Sequence, residues 1–163
     1  MRNHPKPPAP ILIVEGADAT GKTTFCKRYA SIYGARYLHA EAPEHNDWLD
    51  EYVLPLLHDQ PIICDRWHLG ELVWPEAFNR NSLFNNWTEY ERCTRMLAEL
   101  DAAIIVCTRP IDQIACTLDQ RGEQDTFNTV AWAQARFTEI AAETRATHIP
   151  VMTIDELQGT LPE

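Results

Sequence analysis

An α/β fold, with a parallel sheet of about five strands and helices on both faces, is the class this sequence predicts. Three observations predict it. Short apolar runs rich in Ile, Val and Leu recur along the chain, each separated from the next by a segment with helical spacing of its apolar residues. The first of these runs, Ile11–Glu15, leads directly into Gly16-Ala17-Asp18-Ala19-Thr20-Gly21-Lys22-Thr23, which fits G-x-x-x-x-G-K-[ST]. The length of 163 residues suits one domain with a sizeable core.

Met1 to Pro10 carries four prolines and two basic residues. It reads as a flexible tail, disordered or loosely docked, and lacks the apolar centre of a targeting peptide. The single domain then runs over 11–163. Ile11-Leu12-Ile13-Val14 reads as a buried strand. Lys22 to Tyr33 reads as a helix ended by Gly34, and Arg36-Tyr37-Leu38-His39 as a short second strand. Asp47 to His58 has helical spacing, with Pro55 placed to kink or split it. Ile62-Ile63-Cys64 is a short strand ending at Asp65-Arg66-Trp67. Leu69 to Asn86 reads as a broken helix followed by a loop. Thr88 to Leu100 is helical, with Tyr90, Met96, Leu97 and Leu100 as its buried face. Ala102 to Cys107 is a strand stopped by Thr108-Arg109-Pro110, and Ile111 to Gln120 a helix. Arg121-Gly122-Glu123-Gln124-Asp125 is a polar break, Phe127 to Thr147 a long helix, and Val151 to Ile154 a last strand.

The net charge of −10 argues against a general nucleic-acid binder, which would show a basic footprint. No run is long and apolar enough to cross a membrane. Cys26, Cys64, Cys93, Cys107 and Cys116 show no C-x-x-C spacing, and their odd number reads as reduced thiols in a cytoplasmic protein. Cys64 and Cys107 sit in apolar runs and read as core. His39, His45, His58 and His68 lack metal-ligand spacing and read as surface or capping residues.

The glycine-rich stretch is a phosphate-binding loop. Gly16 and Gly21 let successive N–H groups turn inward toward an anion, and the helix opening at Lys22 adds its positive end. The loop residues Gly16, Ala19, Thr20, Gly21, Lys22, Thr23 and Thr24 would cradle a phosphate donor. Lys22 would reach the outer phosphates, and Thr23 would offer a hydroxyl to Mg²⁺. In a parallel sheet the ligand lies beyond the carboxyl ends of the strands. The loop, Asp65-Arg66-Trp67 and Thr108-Arg109-Pro110 therefore converge, which makes Arg109 a further donor-binding candidate. Asp65 suits Mg²⁺, either directly or through water. Arg66 suits a bidentate grip on a second phosphate. Arg121 lies where a short lid, near 120–127, could bring its charge to the transferring group. Trp67, Trp74 and Phe78 either stack on a base or pack in the core, and Glu71 and Arg80 either read base edges or are solvated.

Two phosphate grips and a lid imply two phosphorylated substrates facing each other. Val14 to Thr24 resembles the phosphate loop of thymidylate kinases, which often read E-G-x-[DE]-x-x-G-K-[ST]-T. Asp65-Arg66-Trp67 resembles the family's D-R-[aromatic or His] motif. Arg121-Gly122-Glu123-Gln124-Asp125 is similar to the R-G-E-x-D-R lid of bacterial members, and Ala135-Arg136-Phe137-Thr138-Glu139-Ile140-Ala141 to their A-R-[FY]-x-x-[IL]-A. The resemblance implies a nucleotide kinase sandwich of three layers, with ATP as donor, Mg²⁺ as cofactor and a deoxynucleoside monophosphate, most of all dTMP, as acceptor. It implies that Asp18 contacts the acceptor sugar, Asp65 serves Mg²⁺ and transfer, Arg66 holds the acceptor phosphate and Arg121 closes on the donor. Ala19 stands where some members carry a catalytic Arg.

The chain departs from that pattern in two motifs and is also shorter than most members. The family's R-E-P-G-G segment is replaced by His39-Ala40-Glu41-Ala42-Pro43-Glu44, and Thr126 follows Asp125 where the lid usually has a second Arg. Asp65 to Pro75 is more similar to the small nucleotide kinases of bacteriophages. A deoxynucleoside kinase shares the loop but usually carries Glu-Arg-Ser in place of Asp65-Arg66-Trp67. A GTP-binding switch needs [NT]-K-x-D, which this chain lacks, and a DNA-translocating ATPase would be longer and less acidic. Oligomeric state stays open, a homodimer being one option.

Overall fold

The computed structural model describes residues 4–162. Residues 1–3 of the expected tail lie outside it. Five strands form one sheet: β1 (Ile11–Glu15), β2 (Arg36–His39), β3 (Ile62–Asp65), β4 (Ala102–Thr108) and β5 (Val151–Thr153), in the order β2-β3-β1-β4-β5. Every pairing is parallel, with Ile13 opposite Cys64 and Ile104, and His39 opposite Asp65. The α/β prediction holds, strand for strand.

The strand period of two divides the core into two clusters. Ile11 and Ile13, with Ile62, Cys64, Ile104 and Val106, face α4 (Trp87–Glu99), α5 (Ile111–Arg121) and α6 (Phe127–Glu143), which contribute Tyr90, Leu97, Ile114, Leu118 and Phe137. Leu12 and Val14, with Ile63 and Cys107, face α1 (Lys22–Tyr33) and α7 (Ile154–Gly159) through Phe25, Cys26, Tyr29, Ile154 and Leu157. The result is three layers, helix on sheet on helix. Among the described residues no helix is long and apolar enough to cross a membrane.

Several boundaries move for identifiable reasons. Pro55 splits the Asp47–His58 segment into α2 (Trp48–Tyr52) and a 3₁₀ turn, Leu54–Leu56. The stretch after β3 becomes a 3₁₀ turn, His68–Leu72, and the short helix α3 (Trp74–Phe78). In α4 the buried face is Tyr90, Cys93, Thr94 and Leu97, whereas Met96 and Leu100 are half-buried. The α6 helix ends at Glu143, short of Thr147. Thr144 leaves the helical region, and the Glu91 carboxylate accepts the backbone N–H groups of Arg145 and Ala146 at 2.8 and 2.7 Å. The sequence signal for α7 was a Thr153/Glu156 capping box, hidden behind the last strand. In the tail, the His4 ring is hydrogen-bonded to the Ile32 carbonyl at 3.0 Å, and the Pro10 carbonyl accepts from Ile62 N–H.

Candidate functional site

The loop after β1 closes over the carboxyl edge of the sheet. At φ 139° Gly16 leaves the strand, and a Cβ there would collide with the Cys107 carbonyl of β4. Ala19 (φ 60°) and Gly21 (φ 94°) add two more left-handed turns before α1 begins. Among the described residues the backbone N–H groups of Ala17 to Gly21 donate no hydrogen bond. Donors gathered in this way make an anion-binding concavity. The Thr20 hydroxyl and the Lys22 ammonium both donate to the Ala17 carbonyl, at 3.0 and 2.7 Å, and Lys22 Nζ lies 3.8 Å from Asp18 Oδ1. Lys22 is 3% exposed, and burial holds its pKa below the usual lysine value. Thr23 is half-buried on the first turn of α1, and Thr24 is exposed.

Beside β1, β3 ends in Asp65, which is wholly buried. Its Oδ2 accepts the Tyr37 hydroxyl at 2.8 Å and lies 3.1 Å from His39 Nδ1, while Oδ1 has no partner. Both partners come from the edge strand β2, where the parallel register places His39 opposite Asp65. Arg66 follows in a left-handed conformation, φ 64°, with its N–H on the Val14 carbonyl and its guanidinium on Asp18. The arginine thus ties the end of β3 to the phosphate loop.

A cleft of about 340 Å³ opens here. It is lined by Asp18, Arg66, Trp67, Glu71, Trp74, Phe78 and Arg80, all seven residues that the sequence offers for an acceptor, together with His39, Glu41 and Tyr52. The aromatic residues divide between the two readings. Trp67 is a core residue whose indole N–H donates to the Tyr52 carbonyl at 2.9 Å. Phe78 is 65% exposed and stacks on Trp74, with ring centroids 5.8 Å apart. Glu71 is buried and takes both ends of the Arg80 guanidinium, at 2.6 and 3.0 Å, which raises the arginine's pKa. Neither of these two is a freely solvated charge.

After β4, Arg109 folds back onto the loop. Its Nη1 donates to the Ala19 carbonyl at 3.3 Å and to the Thr117 hydroxyl at 3.1 Å, and its Nε donates to Gln113. Arg121 behaves differently. The expected polar break starts one residue later than Arg121, because α5 continues through it and stops at Gly122 in the left-handed region. Arg121 and the segment to Thr126 are exposed, and among the described residues the Arg121 side chain makes no hydrogen bond or ion pair. Arg109 is brought to the loop; Arg121 is not.

Three site residues escaped sequence reasoning. Glu15, the last residue of β1, is fully buried, its Oε1 accepts Leu69 N–H at 2.9 Å, and burial raises its pKa to about 7. Tyr37 and His39 hold Asp65; their i, i+2 spacing on β2 was the available signal. Among the described residues no group of three or more His, Cys, Asp or Glu side chains is arranged to hold a metal.

Fold and loop together define an α/β sandwich built on a phosphate-binding loop. No family model matches the chain, and no curated protein does. Among solved structures it is similar to the crystal structure of the YorR protein of Bacillus subtilis in complex with phosphorylated GDP. The two share 15% identity and a TM-score of 0.72 over 91% of each chain, a likeness in fold.

Proposed function

We propose that this chain is a nucleoside monophosphate kinase, which transfers the γ-phosphate of ATP to an acceptor monophosphate in a Mg²⁺-dependent reaction. The observation that carries the reading is the cleft beside the loop. One concavity binds anions through backbone N–H groups and Lys22, an adjoining one offers Arg66 and an aromatic face, and Arg66 and Asp18 join them. The similarity in fold to a protein that binds phosphorylated GDP supports nucleotide handling. The acceptor implied by the thymidylate kinase resemblance is dTMP.

The donor set suits Mg²⁺. Asp65 Oδ1 is a buried carboxylate oxygen without a partner, and the Thr23 hydroxyl lies at the opening of α1. Bound there, the ion would supply charge neutralisation at the donor phosphates. The protein's own contribution is placement. The loop N–H groups and Lys22 would fix the donor, Arg66 would hold the acceptor phosphate in line, and Tyr37 and His39 keep Asp65 from turning away. Lys22 would leave the Ala17 carbonyl for the phosphates.

A coupled assay of ADP release tests the proposal, with each nucleoside and each nucleoside monophosphate offered as acceptor. Turnover is expected with monophosphates and Mg²⁺. Turnover with nucleosides alone would make the chain a deoxynucleoside kinase. GTP hydrolysis without any acceptor would point to a switch protein.

A further inference from the structure

Glu71 and Arg80 form the most constrained polar group in the cleft. Glu71 is 3% exposed, and both of its carboxylate oxygens are occupied. Its Oε1 accepts from Arg80 Nη2 at 2.6 Å, and its Oε2 accepts from Arg80 Nη1 at 3.0 Å and from the Leu83 N–H at 3.1 Å. The second hydrogen of Nη1 goes to the Asn81 carbonyl at 3.1 Å. A guanidinium carries five N–H donors in one plane. With Nη1 used twice and Nη2 once, the Nε–H and the outer Nη2–H remain. These two lie side by side on one edge of the plane, so an intact two-donor fork is left over. The Arg80 side chain is 31% exposed and lines the cleft, within reach of a ligand. The stacked Phe78 and Trp74 line the same cleft and offer a flat face for a base.

We infer that Arg80 reads the acceptor base and selects guanine, and that Glu71 is the residue that positions it. The inference rests on the monophosphate kinase reading. Two parallel donors need two adjacent acceptors, and guanine presents that pair in O6 and N7. Thymine presents O4 beside a methyl group and satisfies one donor. Adenine brings an amino group beside N7, so donor meets donor, and cytosine does the same on its N4 edge; cytosine's adjacent acceptor pair, N3 and O2, lies on a single ring that covers less of the Phe78–Trp74 face. Glu71 cannot rescue that contact, because its oxygens are already taken by Arg80 and Leu83. Adenine would therefore cover the fork and leave one of its arms without a partner, which is how polar sites reject near-isosteres. Guanine stands first, cytosine and thymine between, and adenine last.

The test is calorimetric binding of dGMP, dTMP, dAMP, dCMP and 7-deaza-dGMP to the full chain without donor, beside ADP-release kinetics with the same acceptors. The dGMP complex should be tighter than that of dAMP by roughly ten- to a hundredfold, the range for one good bidentate pair. The 7-deaza analogue lacks the N7 acceptor and should fall well below dGMP on the unaltered protein. Arg80→Lys keeps the charge and removes the fork, so it should level dGMP with its 7-deaza analogue. Glu71→Gln should narrow the dGMP-to-dAMP ratio by more than it weakens dAMP itself, which a purely structural role would not do. Equal affinity for the four bases, or for dGMP and 7-deaza-dGMP, overturns the inference. Guanine-selective binding without turnover on any acceptor sinks the kinase reading and leaves this one standing. Turnover without base preference does the reverse, and binding of no monophosphate ends both.

Discussion

Glu15 and His68 are buried together below the phosphate loop, with His68 Nδ1 4.0 Å from Glu15 Oε1. Burial drives their titrations in opposite directions. It raises Glu15 from 4.5 to about 7 and lowers His68 from 6.5 to about 3. A carboxyl whose pKa is raised on folding contributes stability that is complete below its unfolded value and lost as pH climbs to its folded one. Glu15 therefore gives up stability from pH 4.5 to about 7, on the order of 3 kcal/mol at about 1.4 kcal/mol per unit. A histidine whose pKa is lowered does the opposite, so His68 gives up stability as pH falls from 6.5 toward about 3. Between pH 4.5 and 6.5 the two slopes oppose each other and cancel. Glu15→Gln removes one slope and leaves the other. The variant should lose about 3 kcal/mol on acidification across that window, from His68 alone, while the parent loses far less for this pair. Urea unfolding of both proteins in steps from about pH 7.5 to about 4.5 measures it, since every other titrating group is common to both and drops out of the difference. A difference that is constant with pH would mean that Glu15 titrates in the ordinary carboxylate range, and the burial argument would fail.

Four further substitutions bear on donor binding and catalysis. Lys22→Ala should abolish phosphoryl transfer and leave the melting curve nearly unchanged, because the Ala17 carbonyl keeps its bond from Thr20; near-native turnover would refute the loop assignment. Arg66→Ala should lower monophosphate turnover by about 30- to 1000-fold, the equivalent of about 2–4 kcal/mol in the transition state, and spare calorimetric ATP affinity; an equal loss in ATP binding would refute the acceptor role. Arg109→Ala should weaken ATP binding in the ground state, since this arginine holds the Ala19 carbonyl, whereas Arg121→Ala should lower kcat by about 10²-fold with ATP affinity retained. Steady-state kinetics beside calorimetry separates the two arginines, and an unchanged kcat for Arg121→Ala would leave the lid no chemical part.

The parts legible in the sequence were those set by local pattern. The run Ile11–Glu15, the loop from Gly16 to Thr23 and the helix Lys22–Tyr33 follow from apolar periodicity and glycine placement, and all three stand where expected. Of the seven residues offered for an acceptor, Asp18, Arg66 and Trp67 could be placed at the cleft because strand ends in a parallel sheet share one edge, whereas the other four reach it through the turns after β3. What stayed hidden depends on register and burial. Whether His39 meets Asp65 is decided by the pairing of β2 with β3, which no local pattern states. Glu15 reads as the polar stop of a strand, and only the packing of the His68–Leu72 turn over it makes it a buried acid.

The Glu71–Arg80 pair shows the limit most clearly. Nine residues separate the two, a spacing that matches neither a helix face nor a strand face. They meet because Asn79 ends α3 in the left-handed region, φ 49°, and turns the chain back so that Arg80 reaches Glu71 across the cleft. The same device recurs at the site. Of the four described non-glycine residues with positive φ, Ala19 lies in the phosphate loop, Arg66 at the cleft wall and Asn79 just before Arg80; Asp101 alone lies elsewhere. Asparagine tolerates this conformation, so Asn79 is weak evidence by itself. Ala19 and Arg66 are not residue types that favour it, and each costs on the order of 1–3 kcal/mol to hold there. The surrounding contacts sustain both: Arg109 on the Ala19 carbonyl, and Val14 and Asp18 on Arg66. Strain held by named contacts, at the two places where a phosphate would be gripped, is what separates a preorganised site from a pair of strand ends that happen to be neighbours.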